Sequence, residues 1–161
     1  LADRYHKVVY AVVSNMSIAL ERRDLMMRTG CVVCNQEEAG LLFSDDFTGM
    51  TPEELAPIIY RKACTAQYRR VVVTMGKSGA VYAEPDIGCG VCPAQETAVI
   101  DTAGCGDAFF AGVTIGLTYG KKLKEACEIG TRLASSVIAT KENVCPRFRP
   151  EEFGLFPGRN C

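Results

Sequence analysis

Several features are scarce in this 161-residue sequence, and each scarcity argues against a class of function. His6 is the only histidine and lies far along the chain from every motif described below, so a histidine-dependent nucleophile relay has little support. The formal net charge is -1 and charges of both signs are mixed, which leaves no basic stripe for nucleic acid or an anionic membrane. No run approaches the ~20 apolar residues of a membrane-spanning helix, and the first residues do not resemble a signal peptide.

The sequence does contain enough apolar material for a folded core. Hydrophobic residues make up 48% of the chain, and the length fits a single α/β domain over 1–161. The nine cysteines are odd in number and mostly lie within apolar runs, which favours free thiols in a reducing cytoplasm over a disulfide framework. We therefore expect a cytoplasmic protein that binds a small molecule.

Two Cys-x-x-Cys pairs have the spacing of zinc ligands. Cys31 and Cys34 lie in a predicted strand, where positions three apart point to opposite faces, so they cannot chelate one ion from that strand. Cys89 and Cys92 lie in a predicted loop and could bind a metal or oxidise. Buried or incidental thiols are the favoured interpretation of both pairs.

Apolar runs alternate with helix signals along the chain. Strands are predicted at 7–13, 31–34, 71–74, 79–82 and 97–100, with a loop at 84–94. Helices are predicted at 17–28, 51–67, 106–119 and 123–140, with a turn into a helix at 35–43. The alternation predicts an α/β fold with a mostly parallel sheet and helices on both faces.

Three of these predictions rest on particular residues. The continuous β-branched run at 7–13 indicates a strand covered on both faces. Ser17 is predicted to cap the first helix, and Gly30 to end it in a left-handed conformation. Thr51, followed by proline and two glutamates, is a strong helix start.

Residues 101–112 read Asp-Thr-Ala-Gly-Cys-Gly-Asp-Ala-Phe-Phe-Ala-Gly and join a predicted strand to a predicted helix. Gly104 and Gly106 permit unusual dihedrals, so that successive amide hydrogens can point at one spot beside the helix N-terminus, where the dipole also favours an anion. Asp107, in the first turn, can take a proton from a hydroxyl that attacks a bound phosphoryl group. The alternative is a turn in which Asp107 only satisfies helix amides.

This stretch resembles the second signature of the ribokinase-like, phosphofructokinase B-type carbohydrate kinases, Asp-Thr-x-Gly-Ala-Gly-Asp-x-Phe-x-x-Gly. The resemblance implies ATP with magnesium, an anion hole formed by Gly104, Cys105, Gly106 and Asp107, and Asp107 as the catalytic base. Cys105 replaces the usual alanine, and its small side chain should leave the backbone donors in place. Asp101 matches the position at which potassium-activated members bind a monovalent ion, and a purely structural role is its alternative.

Two further elements of the family occur upstream in the expected order. Asn35-Gln36-Glu37-Glu38 follows a buried strand, like the family's Asn-x-x-Glu element that holds magnesium and its waters, so Asn35 and Glu38 are the implied metal-site residues rather than Glu37. The alternative is a polar helix start after a strand.

The stretch 73–79 is similar to the family's Thr-x-Gly turn that touches the nucleotide phosphates. Thr74, Gly76 and Gly79 are the nucleotide-binding residues implied there. Residues 76–78 also resemble the end of a P-loop, but that motif requires a glycine where Val71 stands. Thr131 and Asn143 belong to a generic match with the family's adenine pocket.

The resemblance covers nearly all 161 residues but corresponds to only the C-terminal half of the family's usual chain, and the sequence starts with Leu1 rather than Met. The unmatched half normally carries the acceptor site and the lid through which members often form homodimers. We expect transfer of a phosphoryl group from ATP to a hydroxyl of a sugar, sugar phosphate or nucleoside. One alternative is a nucleotide-binding module, inactive without a second chain that carries the N-terminal half. Another is a vitamin-precursor kinase of the same superfamily.

Overall fold

The computed structural model describes residues 1–13, 15–97, 102–139 and 148–155. The strands are β1 Tyr10–Val12, β2 Cys31–Asn35, β3 Val71–Thr74, β4 Ala80–Glu84 and β5 Gly88–Cys92. The helices are α1 Met16–Glu21, α2 Arg23–Met27, α3 Gln36–Phe43, α4 Pro52–Thr65, α5 Cys105–Thr118 and α6 Leu123–Ile138, with short 3-10 turns at Asp3–Tyr5, Gly76–Ser78 and Pro150–Phe153. The chain divides into two compact units, Leu1–Val91 and Cys92–Cys161. A single domain over 1–161 stays a prediction.

The described strands form one five-stranded sheet in the order β1-β2-β3-β4-β5. β1 pairs with β2 and β2 with β3 in parallel, whereas β3 and β4 are antiparallel. The predicted α/β class is confirmed, and the sheet is mixed.

The core of the first unit lies against β2 and β3. Val32 and Val71 are register partners on one face, and both belong to a buried cluster with residues from α3 and α4 such as Leu42 and Ile59. The alternating residues Cys31, Val33 and Val72 are buried too. The apolar runs of these two strands are therefore covered on both faces.

β1 differs from the strand predicted at 7–13. The regular strand covers only Tyr10–Val12 instead of 7–13, and Val8, Val9 and Val12 are exposed. β1 is the outermost of the five described strands and pairs only with β2, so less of the fold surrounds it than surrounds β2 and β3. The prediction that both of its faces are covered is wrong for this chain.

The predicted helix at 17–28 is two short helices. Asn15, not Ser17, caps α1, and its side chain accepts a hydrogen bond from the Ile18 backbone N–H at 3.3 Å. Arg22 has a non-helical ψ of 43° and separates α1 from α2. α2 ends at Arg28 in a right-handed conformation, so Gly30 does not supply a left-handed stop. A side chain at Gly30 would instead collide with Val8.

The predicted loop at 84–94 contains strand β5. Its glycines indicated a loop, but Gly90 has a packing role, because a β-carbon at that position would collide with the Tyr82 ring. Glycine in a strand often marks such a close approach. The strand predicted at 97–100 lies largely outside the described residues.

The second unit contains the long helices α5 and α6, each within two residues of its predicted ends where those ends are described. A β-carbon at Gly112 would lie 2.6 Å from the Gly130 Cα, and one at Gly130 would lie 2.7 Å from the Phe109 carbonyl oxygen. Two glycines therefore allow the helix backbones to approach closely.

None of the described helices is long and apolar enough to cross a membrane.

Candidate functional site

Asn35 and Thr74 end neighbouring parallel strands on the same edge of the sheet. Asn35 is the last residue of β2, Thr74 is the last residue of β3, and the two are register partners. In open α/β sheets, ligands bind beyond the carboxyl ends of the strands. The structure thus brings together one residue predicted for magnesium and one predicted for the nucleotide.

Asn35 and Glu38 form a reciprocal capping box at the start of α3. The Glu38 backbone N–H donates to Asn35 Oδ1 at 2.8 Å, and the Asn35 backbone N–H donates to Glu38 Oε2 at 2.7 Å. These bonds satisfy two helix amides that would otherwise lack partners. They also fix two oxygen-bearing side chains at the strand end.

This pair fits a magnesium ion whose remaining ligands are water and phosphate. Magnesium prefers oxygen ligands, and proteins usually bind it through one or two carboxylates while it keeps several waters. Within the described residues, no group of three or more His, Cys, Asp or Glu side chains is arranged to hold a metal ion.

An open groove of about 500 Å³ begins at this edge of the sheet. The groove is lined by Asn35, Gln36, Glu37, Gly40, Leu41, Asp45, Asp46, Phe47, Thr48, Gly49, Thr74, Met75 and Gly76. Glu37 belongs to this lining, whereas Glu38 and Gly79 do not. The segment 45–49 was missed by sequence reasoning, although two aspartates and a glycine just after a helix are a recognisable turn signal.

Gln36 ties the start of α3 to that segment. Its Nε2 donates to the Phe47 carbonyl oxygen at 2.5 Å and lies 3.4 Å from the Met50 carbonyl oxygen. Phe47 is itself only 2% exposed and belongs to the core. The groove is therefore anchored to the packed interior of the first unit.

The charges that line the groove are negative. Lys62 Nζ lies 2.7 Å from Asp45 Oδ2, and this hydrogen bond is the main reason that the pKa of Asp45 lies below its ordinary value. The Thr48 backbone N–H donates to Asp46 and lowers the pKa of that carboxyl. No Lys or Arg is among the lining residues of the described chain. The acidic lining is therefore partly balanced by Lys62, which lies beside Asp45.

The turn from Thr74 to Gly79 leaves its backbone accessible. Thr74 Oγ1 lies 3.4 Å from the Cys34 carbonyl oxygen, and the space beside the Gly76 Cα is open. Gly79 has φ 92° and ψ -136°, a conformation that favours glycine. Its carbonyl accepts a hydrogen bond from the Met75 N–H at 2.8 Å, which closes the turn.

In the second unit, Gly104 begins α5 with φ 76° and provides no side-chain cap. The Ala108 N–H already bonds the Gly104 carbonyl oxygen at 2.9 Å. The Cys105 N–H donates to the Thr102 carbonyl oxygen at 3.4 Å. The amides of residues 106 and 107 belong to the same first turn, where helical N–H groups lack intrahelical partners. The space beside the Gly106 Cα is open, and Asp107 is exposed in the same turn. These features suit an anion.

Of the three residues predicted for adenine or for a monovalent ion, the structure describes one. Thr131 is buried in α6 at 9% exposure, and its hydroxyl lies 3.4 Å from Cys92 Sγ. Asp101 and Asn143 lie outside the described residues. The roles of all three stay predictions.

Comparisons with known proteins agree with one another. A model of the pfkB family carbohydrate kinases matches residues 4–146. A guanosine-inosine kinase from Exiguobacterium acetylicum is 31% identical over 136 residues, which are 84% of this chain and 44% of that protein. The solved structure of a probable sugar kinase from Rhizobium etli CFN 42 matches 96% of this chain and 47% of its own, with a TM-score of 0.75 and 25% identity.

Escherichia coli phosphofructokinase-2, solved with substrates and products, matches 89% of this chain with a TM-score of 0.75 and 20% identity. This chain covers 45% of that protein, and it spans less than half the length of each relative named here. The match at 4–146 includes the groove at the ends of β2 and β3 and the glycine-capped start of α5. The chain therefore belongs to the pfkB family of carbohydrate kinases.

Proposed function

We propose that this chain supplies the nucleotide-binding and catalytic part of an ATP-dependent kinase that phosphorylates a hydroxyl of a sugar, sugar phosphate or nucleoside. The observation that carries the proposal is the start of α5. There, a left-handed Gly104 replaces a side-chain cap, and an exposed carboxylate, Asp107, stands in the first turn. The family match supports the same assignment.

In this proposal the backbone amides at 104–107 hold the charge that develops on the transferred phosphoryl group. Fixed N–H donors aimed at developing charge need no reorganisation during the reaction. Asp107 accepts the proton of the attacking hydroxyl. Cys105 would contribute its amide by exchanging the 3.4 Å hydrogen bond to the Thr102 carbonyl oxygen for one to the ligand.

Asn35 and Glu38 would hold magnesium through its water shell, and Thr74, Gly76 and Gly79 would contact the nucleotide phosphates. Bound magnesium supplies charge neutralisation between the phosphates. The acidic residues that line the groove support this arrangement, because carboxylates attract the cation that accompanies a nucleotide. Thr131 and Asn143 are proposed for the adenine side, and Asp101 for a monovalent cation such as potassium.

Asp107→Asn tests the catalytic base. We expect turnover to fall by about 10²–10⁴-fold, because a positioned general base contributes about that much, while ATP affinity stays within about threefold. Glu53→Gln is the matched control, since Glu53 is also an exposed acid in a first helical turn, that of α4. Near-normal turnover of a folded Asp107→Asn protein would remove Asp107 from this role.

A second candidate is a nucleotide-binding module that is inactive without a further chain. The coverage favours it, because more than half of each relative lies outside the match. The purified chain, ATP and magnesium would be mixed with guanosine, inosine, ribose or fructose 6-phosphate, and ADP would be measured. Acceptor-dependent ADP formation supports the kinase, whereas ATP binding without turnover supports the module.

A further inference from the structure

Two walls of different origin line the groove at the ends of β2 and β3. One is formed by the strand ends and the turn after β3, at Asn35, Thr74 and Gly76, and the other by the segment 45–49 that follows α3. The first wall carries residues proposed for magnesium and the nucleotide. The second wall carries none of them, so its effect on a ligand depends on where the segment is held.

The start of segment 45–49 is fixed to the helices beside it. The Asp45 N–H donates to the Gly40 carbonyl oxygen at 2.9 Å, and a β-carbon at Gly40 would lie 2.8 Å from the Asp45 carbonyl oxygen. Lys62 Nζ of α4 lies 2.7 Å from Asp45 Oδ2. Asp45 is therefore held by both α3 and α4.

The middle of the segment is held by the side chain of Gln36. The Phe47 carbonyl oxygen accepts a hydrogen bond from Gln36 Nε2 at 2.5 Å and another from the Met50 N–H at 3.2 Å. Among the residues that the structure describes, no other side chain of α3 hydrogen-bonds to residues 45–50. The half-buried Gln36 is thus the side-chain link between the start of α3 and the second wall.

The backbone of Gln36 is itself fixed. Gln36 is the first residue of α3 and lies inside the capping box in which the side chains of Asn35 and Glu38 accept from each other's backbone N–H. Its position relative to the first wall is therefore set, and its side chain holds the second wall at a defined distance. Removal of the amide donor would leave the Phe47 carbonyl oxygen with the Met50 N–H alone.

We propose that Gln36 is a positioning residue of the nucleotide site, whose amide holds segment 45–49 close enough for the groove to enclose the phosphates of ATP with their magnesium. Because its Nε2 is engaged by the wall, Gln36 acts through that wall. A binding site keeps its geometry through such supporting hydrogen bonds, so loss of this bond should weaken nucleotide binding and leave the chemical step nearly unchanged. The inference rests on the proposed function and adds a residue to the same site.

Gln36→Met and Gln36→Glu test the proposal. Methionine keeps the length of the side chain without a donor, and glutamate replaces the donor with a carboxylate that repels the Phe47 carbonyl oxygen. Gln67→Met is the matched control, since Gln67 is exposed and does not line the groove. Thr51→Ala controls for stability, because it removes the cap of α4. Circular dichroism establishes that each variant is folded, and calorimetric titration measures its affinity for ATP with magnesium.

We expect both Gln36 variants to bind magnesium-ATP about fivefold more weakly, the effect of one hydrogen bond, and both controls to stay within about twofold of the unchanged chain. With an acceptor that supports turnover, KM for ATP should rise by the same factor while kcat stays within about twofold. A purely structural role would not separate KM from kcat in this way.

Unchanged affinity in both Gln36 variants would overturn the proposal. An equal loss in Thr51→Ala would also overturn it, because the effect would then belong to stability. In both cases the unchanged chain still binds magnesium-ATP, so the proposed function stands. Absence of magnesium-ATP binding by the unchanged chain would instead contradict the proposed function, and this inference with it.

Discussion

At the scale of single residues, helix α5 begins differently from α3 and α4. Asn35 and Thr51 each accept a hydrogen bond from a backbone N–H three residues later. Gly104 has no side chain with which to do so. The Cys105 N–H donates to the Thr102 carbonyl oxygen, and no side-chain cap takes the amides of Gly106 and Asp107. This contrast supports the choice of α5 as the phosphate site.

Buried thiols should make the stability of the protein fall at high pH. Burial raises the pKa of Cys31 from 9.0 to about 12 and raises that of Cys34 as well. Below pH 9 both the folded and unfolded states keep these protons. Between pH 9 and about 12 the unfolded state loses them first, so the free energy of unfolding should fall by up to ~1.4 kcal/mol per pH unit for each thiol.

Urea unfolding from pH 8 to pH 11 measures this dependence. A Cys31→Ala, Cys34→Ala double variant should show a shallower decline, whatever its stability at pH 8. Val33→Ala is the control, because Val33 is buried in the same strand and has no titratable side chain, and its decline should match that of the unchanged protein. A double variant with an unaltered decline would contradict the assignment.

At the scale of elements, the matched capping boxes of α3 and α4 allow an effect on stability to be distinguished from an effect on metal binding. Asn35→Ala and Thr51→Ala each remove the N-cap side chain of a box, in α3 and in α4. Each should lower the free energy of unfolding by about 1 kcal/mol. Only Asn35→Ala should weaken magnesium-dependent ATP binding, because Asn35 lines the groove and Thr51 does not.

Calorimetric titration of ATP, with and without magnesium, would measure this difference. Equal loss of magnesium-dependent binding in both variants would mean that stability alone controls it. No loss in either variant would remove Asn35 from the metal site.

The contact between α5 and α6 should not tolerate a methyl group. Gly112→Ala would place a β-carbon 2.6 Å from the Gly130 Cα, and backbone atoms cannot move aside as a flexible side chain can. We expect a loss of about 1–3 kcal/mol, the usual cost of overpacking. Gly106→Ala on the same helix is the control for stability, since its β-carbon would enter open space. A thermal shift that is equal in both variants would contradict the close helix approach.

Sequence reasoning located elements well where one physical signal dominated. Val71–Thr74 is a strand at its predicted residues, because four apolar or β-branched residues leave little ambiguity. Thr51 begins α4 as predicted, with both bonds of its capping box present. β5 was missed because Gly88 and Gly90 indicate a turn locally, whereas the need to accommodate Tyr82 is a tertiary constraint.

The candidate site was predicted only in part, for a similar reason. The pairing of Asn35 with Thr74 follows from two strands that are parallel and in register, and each strand was visible in the sequence. The contribution of Asp46 and Phe47 to the groove depends on how the segment after α3 folds back, which Gln36 fixes through backbone contacts. The periodicity of apolar residues in the sequence does not predict such contacts.

At the scale of the whole molecule, the chain carries two kinds of site residue in two compact units. Asn35 and Thr74 lie in the first unit, and Asp107 lies in the second. The chain spans 44% of the Exiguobacterium kinase, and none of the residues discussed is proposed to bind the acceptor. This is why substrate identity is tested with a panel of acceptors rather than with a single compound.

The sequential strand order also bears on how the protein forms during synthesis. Residue 10 pairs with 31, residue 32 with 71 and residue 71 with 83, so each of these pairings joins residues within about 40 positions of one another. Each strand can add to the one made before it as the chain leaves the ribosome, and short closures of this kind favour fast folding.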